Sequence, residues 1–286
     1  MNEVERPSGM VATQLVGRQA DLSSIRSFFE DSAIPGAALL VTGEAGVGKT
    51  ALLDALAEGA AQRGVRVLRA RGVQFEADIS YAGLNQLLVP LFDEFENLDA
   101  EHRDALRVAV GIGGGPPPDR LLTSTAALLL LRVISVETPL LVVVDDLPWL
   151  DRATTSVLGF IARRLVGSKV SFVAACRDDS ETFFETSGLK EHRLLPLDEA
   201  AADELIALTH PDVSPAVRRR IVAEAHGNPL ALVELPTALS RTQRRILTAV
   251  PAVLPLSERL QTLFVSRVNN LPGPTRELLL LAGRAR

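Results

Sequence analysis

Cysteine is almost absent from this sequence: one, Cys176, in 286 residues. An internal disulfide is therefore excluded, and the four histidines are too scattered for metal-ligand spacing. Aromatic residues make up only 4%, with one tryptophan and one tyrosine, so any core has to be assembled from Leu, Val and Ala. A long uncharged apolar run is also missing. The most apolar stretch, residues 121–136, is interrupted by Arg132 and is too short to cross a bilayer. The opening MNEVERPSGM lacks the basic-then-apolar order of a secretory leader. Nor is there excess positive charge: 35 acidic against 30 basic residues give a formal charge of −5, which argues against a chain that coats nucleic acid. What remains is ordinary globular usage, 47% hydrophobic and 23% charged. The expectation is a soluble, cytoplasmic chain with no membrane partner.

Apolar residues recur at helical spacing over residues 19–30 (Leu22, Ile25, Phe28, Phe29). AALLVT, residues 37–42, is a short apolar run that halts at a glycine cluster and predicts a buried strand. A helix follows over about 49–63, with Leu52, Leu53, Leu56 and Ala60 on one face and Gly64 as its stop. A strand over 65–70 comes next. Strand, helix and strand joined this tightly form the βαβ unit of a parallel sheet. Helices are predicted over 81–95 and 99–110, a loop at GIGGGPPPD (111–119), and a long apolar helix over about 120–135. LLVVVDD, residues 140–146, is apolar on both alternating faces, as a central strand covered on both sides requires. A helix over 154–165 precedes the strand VSFVAA (170–175), with a further short strand near 193–195. Beyond Leu197 only Ala- and Leu-rich helices are expected. The predicted organisation is a tail over 1–14, an α/β core over 15–197 and a smaller all-helical unit over 198–250.

Gly43-Glu44-Ala45-Gly46-Val47-Gly48-Lys49-Thr50 satisfies the pattern G-x-x-x-x-G-K-[ST] at every fixed position. Glycines let the backbone wind round phosphates with its N–H groups pointing inward. The helix that opens at Lys49, with Ala51 in its first turn, adds its positive end to the same site. Lys49 is placed to reach the β- and γ-phosphates of ATP, and the Thr50 hydroxyl to ligate Mg²⁺.

A phosphate loop needs an acidic metal partner. Asp145 stands at the C-terminal edge of a buried strand, where α/β sheets bind ligands. Asp146 beside it is the candidate to orient or deprotonate attacking water. It is one methylene shorter than the glutamate of many related ATPases, which points to slow hydrolysis. The plainer alternative is that both aspartates cap the strand's exit. Asp151, just ahead of a helix, reads as its N-cap rather than a third acid. VSFVAA delivers Cys176 and Arg177 to the same edge. Arg177 is a candidate for sensing a γ-phosphate or neutralising charge in phosphoryl transfer, or else for pairing with Asp178 or Asp179. Cys176 reads as a small buried apolar residue. The clusters Arg218 to Arg220 and Arg244-Arg245 read as solvated faces.

Leu15-Val16-Gly17-Arg18, the phosphate loop, GVQFEADISYAGLNQLLVPL (72–91), VVVDDLPWLD and GNPLAL together resemble one family. It is the ATPase module of the large ATP-binding LuxR-type transcription regulators, in the signal-transduction ATPase (STAND) branch of the AAA-related P-loop proteins. The resemblance spans about residues 15–286. It implies a P-loop NTPase α/β fold, with a parallel sheet sandwiched by helices, followed by a helical lid. It also implies the start of a winged-helix region over 251–286, where RVNNLPGPTRELLLLAG (267–283) looks like the first helix region. The implied cofactors are ATP or ADP and Mg²⁺. Val16 and Gly17 resemble the segment that packs over adenine, with Arg18 beside it. Asp145 corresponds to the Mg²⁺ aspartate, Asp146 to the adjacent acid, and Arg177 lies where the sensor strand ends. Gly227-Asn228-Pro229-Leu230 resembles a G-x-P segment whose proline, Pro229, closes over the base. The local alternative is that Gly227 stops one helix and Pro229 starts the next. At Pro148 the family more often has histidine or glutamine.

In that family a sensor region and a DNA-binding helix-turn-helix follow the module, so a chain stopping at Arg286 is expected to be a fragment without them. The expected partners are the nucleotide and, on ATP binding, a second copy of the chain. Specific DNA binding by this chain alone is not expected. The alternative function is a stand-alone AAA-type ATPase or a P-loop kinase with true turnover.

Overall fold

The computed structural model of the chain describes residues 15–30, 36–178 and 189–246, with isolated positions at 260, 273, 275 and 276. Its centre is a sheet of five strands: β1 (Ala37–Thr42), β2 (Arg66–Arg71), β3 (Leu140–Asp145), β4 (Val170–Ala175) and β5 (Lys190–Arg193). They lie in the order β2-β3-β4-β1-β5, and every pairing is parallel. Parallel pairing requires long crossovers, and those from β1 to β2, β2 to β3 and β3 to β4 carry helices that cover both faces.

Strand alternation sorts the core into two layers. Leu141 and Val143 of β3, with Leu39 and Val41 of β1, pack under α1 (Gln19–Glu30) and α2 (Lys49–Gln62), against Ile25, Leu52, Leu53 and Leu56. Leu140, Val142 and Val144, with Phe172 of β4, face the opposite way. They meet α3 (Ala82–Leu88), α4 (Ala100–Ala109), α5 (Arg120–Glu137) and α6 (Arg152–Ala162). This two-sided demand is why β3 is buried along its whole length. Each fully buried Leu or Val contributes about 1.5–3 kcal/mol, so few aromatics are needed.

A separate apolar cluster organises α7 (Glu199–Thr209), α8 (Pro215–Ala225) and α9 (Pro229–Thr237) around Ala202, Ile206, Val217, Ile221 and Leu232, while the short α10 (Arg241–Arg245) contributes no buried residue. Five residues from outside these helices join it: Val16, Leu197, Val213, Leu239 and Leu260. Ahead of α1, Val16 therefore packs into the helical unit, while Leu15 packs against the layer formed by α1, α2 and the sheet.

Three expectations need correction. The helix predicted over 81–95 ends as an α-helix at Leu88 and continues as a 3-10 helix over Val89–Asn97. Pro90 lies in that first turn; it has no N–H to donate, and in a continuous α-helix its ring would clash with the carbonyl four residues earlier. The last strand lies at Lys190–Arg193, not 193–195. Its sequence, KEHR, is polar because it is an exposed edge pairing only with β1, and edges carry charge. The second strand starts at Arg66 rather than Val65. The predicted tail over 1–14 lies outside the described residues, as does nearly all of the predicted winged-helix start over 251–286. Among the described residues no helix is long and apolar enough to cross a membrane.

Candidate functional site

β1 delivers the chain at Thr42 into a loop over residues 43–48, and α2 begins immediately after it. Gly46 and Gly48 have φ of +80° and +102°, a conformation that residues with a Cβ rarely adopt. A Cβ on Gly46 would also lie 2.8 Å from Asn228 Oδ1. Gly48 caps α2 in the left-handed conformation with no side-chain cap, so the helix presents bare N–H groups and the positive end of its dipole to the loop.

The loop's carbonyls are held by donors from several elements. Lys49 Nζ donates to Gly43 O (2.7 Å) and Glu44 O (2.9 Å). Asn228 Nδ2 donates to Ala45 O (3.0 Å), and the Leu230 N–H donates to Gly46 O (3.2 Å). Arg18 Nη2 donates to Val47 O (2.8 Å). Arg18 is only 5% exposed and also pairs with Asp21 (3.3 Å), whose other oxygen meets His192 Nε2 at 2.8 Å.

Lys49 is 9% exposed. Burial pushes its pKa below the ordinary lysine value, and the nearby Arg177 adds to the effect. Across the sheet edge, Thr50 Oγ1 donates to Asp145 Oδ2 at 2.9 Å. Asp145 is 9% exposed, and burial raises its pKa, with the charge of Asp146 acting in the same sense. Asp146 has a left-handed φ of +51°, and its backbone N–H donates to Asp145 Oδ1 at 3.0 Å.

Arg71 is a residue the sequence reading missed. Its Nη2 lies 3.4 Å from Asp146 Oδ2 and its Nε 3.9 Å from Asp145 Oδ2. The signal is its register: Arg71 ends β2 directly beside Asp145 of β3.

A cavity of about 500 Å³ opens over the loop. Ala45, Gly46, Gly48, Lys49, Thr50 and Ala51 line its floor, with Asp146 and Arg177 at one side. Leu15, Val16 and Arg18 form one wall, and Leu197, Leu205, Pro229, Leu230, Val233 and Glu234 form the other. The remaining candidates stand behind this surface. Val47 is fully buried in the layer between α2 and the sheet, and Gly17 abuts Ala201. Gly43 and Glu44 contribute carbonyls to Lys49, and Asp145 sits behind Thr50.

Asp151 is the N-cap of α6, as its position suggested, accepting from the Thr154 N–H at 2.8 Å. It also accepts from the N–H groups of Tyr81 (2.8 Å) and Gly83 (3.2 Å), which ties the 72–91 segment to the start of α6. Cys176 is buried. Asp178 pairs with Arg193 at 3.0 Å. In the arginine clusters, Arg218 pairs with Asp203 and Arg244 with Asp212, each at 3.2 Å.

A strand, a glycine loop with a lysine folded beneath it, and a Thr–Asp pair at the C-terminal edge of a parallel sheet define a P-loop NTPase site. The AAA ATPase domain family matches residues 14–173, more than half of the chain, and the chain belongs to that family. Among solved structures it is similar to a STAND protein with a tetratricopeptide repeat sensor from Pyrococcus horikoshii, at 18% identity and a TM-score of 0.50. That match covers 90% of this chain and 32% of the other. It is similar also to Cdc6p from Pyrobaculum aerophilum (14% identity, TM-score 0.55, 82% of this chain and 64% of that one). The ORC2 protein of Aeropyrum pernix, solved as ADPNP–ADP complexes, is comparable (15% identity, TM-score 0.50, 89% and 67%). At these identities the likeness is one of fold, and the chain spans about a third of the length of the STAND protein. No curated protein matches the sequence.

Proposed function

We propose that the chain is a Mg-ATP-binding switch module, of the kind that serves a LuxR-type transcription regulator, with at most slow hydrolysis. The observation that carries this reading is the cavity itself: the phosphate loop forms its floor, and it is lined both by the α/β core (Leu15, Arg18, Asp146, Arg177) and by the helical unit (Leu205, Pro229, Leu230, Val233). A ligand held by both units favours their closed arrangement in proportion to the contacts it gains there. In this reading residues 15–197 are the nucleotide-binding core, 198–250 the lid, and 251–286 the start of a winged helix.

The loop N–H groups and Lys49 would take the phosphates, and the apolar walls, including Val16 and Pro229, would take the base. Thr50 and Asp145 supply two hard oxygen donors 2.9 Å apart, a set that fits Mg²⁺ completed by phosphate and water oxygens. Among the described residues no group of three or more His, Cys, Asp or Glu could hold a metal by itself, so the nucleotide has to complete the coordination. Bound there, the cation would offset charge on the β- and γ-phosphates. Asp146 would orient water, and Arg177 would face the γ-phosphate. Asp146 is engaged by Arg71, which favours slow turnover.

A second reading, an ATPase with true turnover, draws on the presence of both Asp146 and Arg177 at the cavity. Calorimetric titration with ATP, with and without Mg²⁺, followed by a turnover assay on the same sample, separates the two. Saturable Mg-dependent binding with turnover below about one per minute supports the switch. Turnover near 10 s⁻¹, the median for enzymes, would replace it with the second reading, and absence of binding would overturn both. Sedimentation with and without ATP tests the self-association expected of the closed form.

A further inference from the structure

The turn that opens α9 is joined to the crest of the phosphate loop through one side chain. Asn228 uses both ends of its carboxamide. Its Oδ1 caps α9, accepting from the N–H groups of Leu230 (3.1 Å) and Ala231 (3.3 Å). Its Nδ2 donates to Ala45 O at 3.0 Å, across 183 positions of sequence. The turn is fixed from behind as well, because the Leu197 N–H donates to Gly227 O at 2.8 Å. A Cβ on Gly227 would strike Leu197 O at 2.2 Å.

A trans peptide is planar, so its C=O and N–H point in opposite directions. Anchoring the Ala45 carbonyl towards Asn228 therefore aims the N–H of Gly46 the other way, and Gly46 lines the cavity. Asn228 itself is not among the residues lining it, so it acts on a ligand only through the loop. We infer that Asn228 is a positioning residue, a clamp by which the helical unit sets the direction of a phosphate-binding N–H. This rests on the nucleotide-binding reading above and adds that lid docking and phosphate affinity are coupled through this amide, which acts beside the Leu230 N–H on Gly46 O.

Coupling of this kind is reciprocal: whatever the docked lid adds to nucleotide affinity, bound nucleotide adds to lid docking. The two jobs of Asn228 can be separated by chemistry. Asn228→Ser keeps a neutral helix cap, since serine is a preferred N-cap residue, but its side chain is too short to reach Ala45 O. Asn228→Asp also keeps the cap and removes the N–H donor, while Asn228→Ala removes both.

The test measures apo melting temperature, and affinity and dissociation rate for ATP and for ADP, in the wild type and the three variants. Asn228→Ser should melt close to the wild type yet bind both nucleotides about threefold to tenfold more weakly, the loss of one net hydrogen bond, mostly through faster dissociation. Asn228→Asp should lose at least as much affinity, and only Asn228→Ala should also melt lower. Wild-type affinity in Asn228→Ser would overturn the clamp and leave the nucleotide-binding reading standing. Loss for ATP alone would overturn it too, because the loop backbone cradles the α- and β-phosphates common to both nucleotides. A wild-type chain that binds neither nucleotide would overturn the clamp and that reading together.

Discussion

Thr50 and Asp145, 95 positions apart in sequence, meet at 2.9 Å. Neither residue defines the meeting alone. β4 lies between β1 and β3, so the loop leaving β1 and the end of β3 open onto the same sheet edge. α2 then carries Thr50 across to the carboxylate. The parallel arrangement thus brings a hydroxyl and a carboxylate together at the place where α/β sheets take ligands.

Asp145→Asn should stabilise the apo chain while weakening Mg-dependent nucleotide binding. The sign follows from the raised pKa, caused by burial and then by Asp146. The folded state binds this proton more readily than the unfolded chain, so its contribution is fully present below the unfolded value of 3.8 and is lost as pH rises through the raised pKa. At neutral pH the ionised group therefore opposes folding, and asparagine relieves that. Melting curves of the two proteins should separate at neutral pH and converge as pH falls through the raised pKa. Equal loss of ATP affinity with and without Mg²⁺ would remove Asp145 from the metal.

Lys49→Ala should weaken ATP binding by about a hundredfold, as expected for a charge-assisted contact to phosphate. Stability should change little, because the ammonium is already held at a cost that lowers its pKa. Calorimetry and a melting curve on one sample check both halves. Affinity within threefold of the wild type would remove the loop from phosphate binding.

Arg71→Gln should leave stability within about 0.5 kcal/mol, because the guanidinium is largely exposed and such pairs contribute little. Turnover should rise severalfold at unchanged ATP affinity, because Asp146 would lose the partner that holds its carboxylate. A steady-state phosphate-release assay reads this. A fall in turnover would place Arg71 on the phosphate side of the site instead.

The isolated chain should not recognise a DNA sequence. The clustered arginines Arg218 and Arg244 are engaged with Asp203 and Asp212, and the formal charge is −5. A mobility-shift assay at about 150 mM salt, where the Debye length is ~8 Å, should give no discrete complex. A complex resistant to competitor DNA would place a base-reading element within these residues.

What could be read in the sequence was whatever is written contiguously. The phosphate loop lies within eight positions, its flanking strand and helix show their own periodicities, and β3 declares two-sided burial by its unbroken apolar run. Asp151 could be read as a cap because capping acts over three residues. Arg71 could not be assigned, because its role depends on β2 lying beside β3 in one particular register. The clamp from Asn228 to Ala45 and the path from His192 through Asp21 and Arg18 to Val47 were hidden for the same reason: each joins segments whose proximity only the fold creates. The polar edge strand β5 carried too little apolar signal to be located to the residue.

Residues 15–18 pass from one unit to the other within four positions. Val16 is embedded among the helices, Gly17 is pressed on Ala201, and Arg18 grips the phosphate loop at Val47. The segment is a short tie between two bodies. Swinging the helices away from the sheet must either extract Val16 from its apolar seat or drag Arg18 off the loop. Tension applied ahead of Leu15, as in an optical trap, should therefore disturb the phosphate loop before it reaches the strands of the sheet.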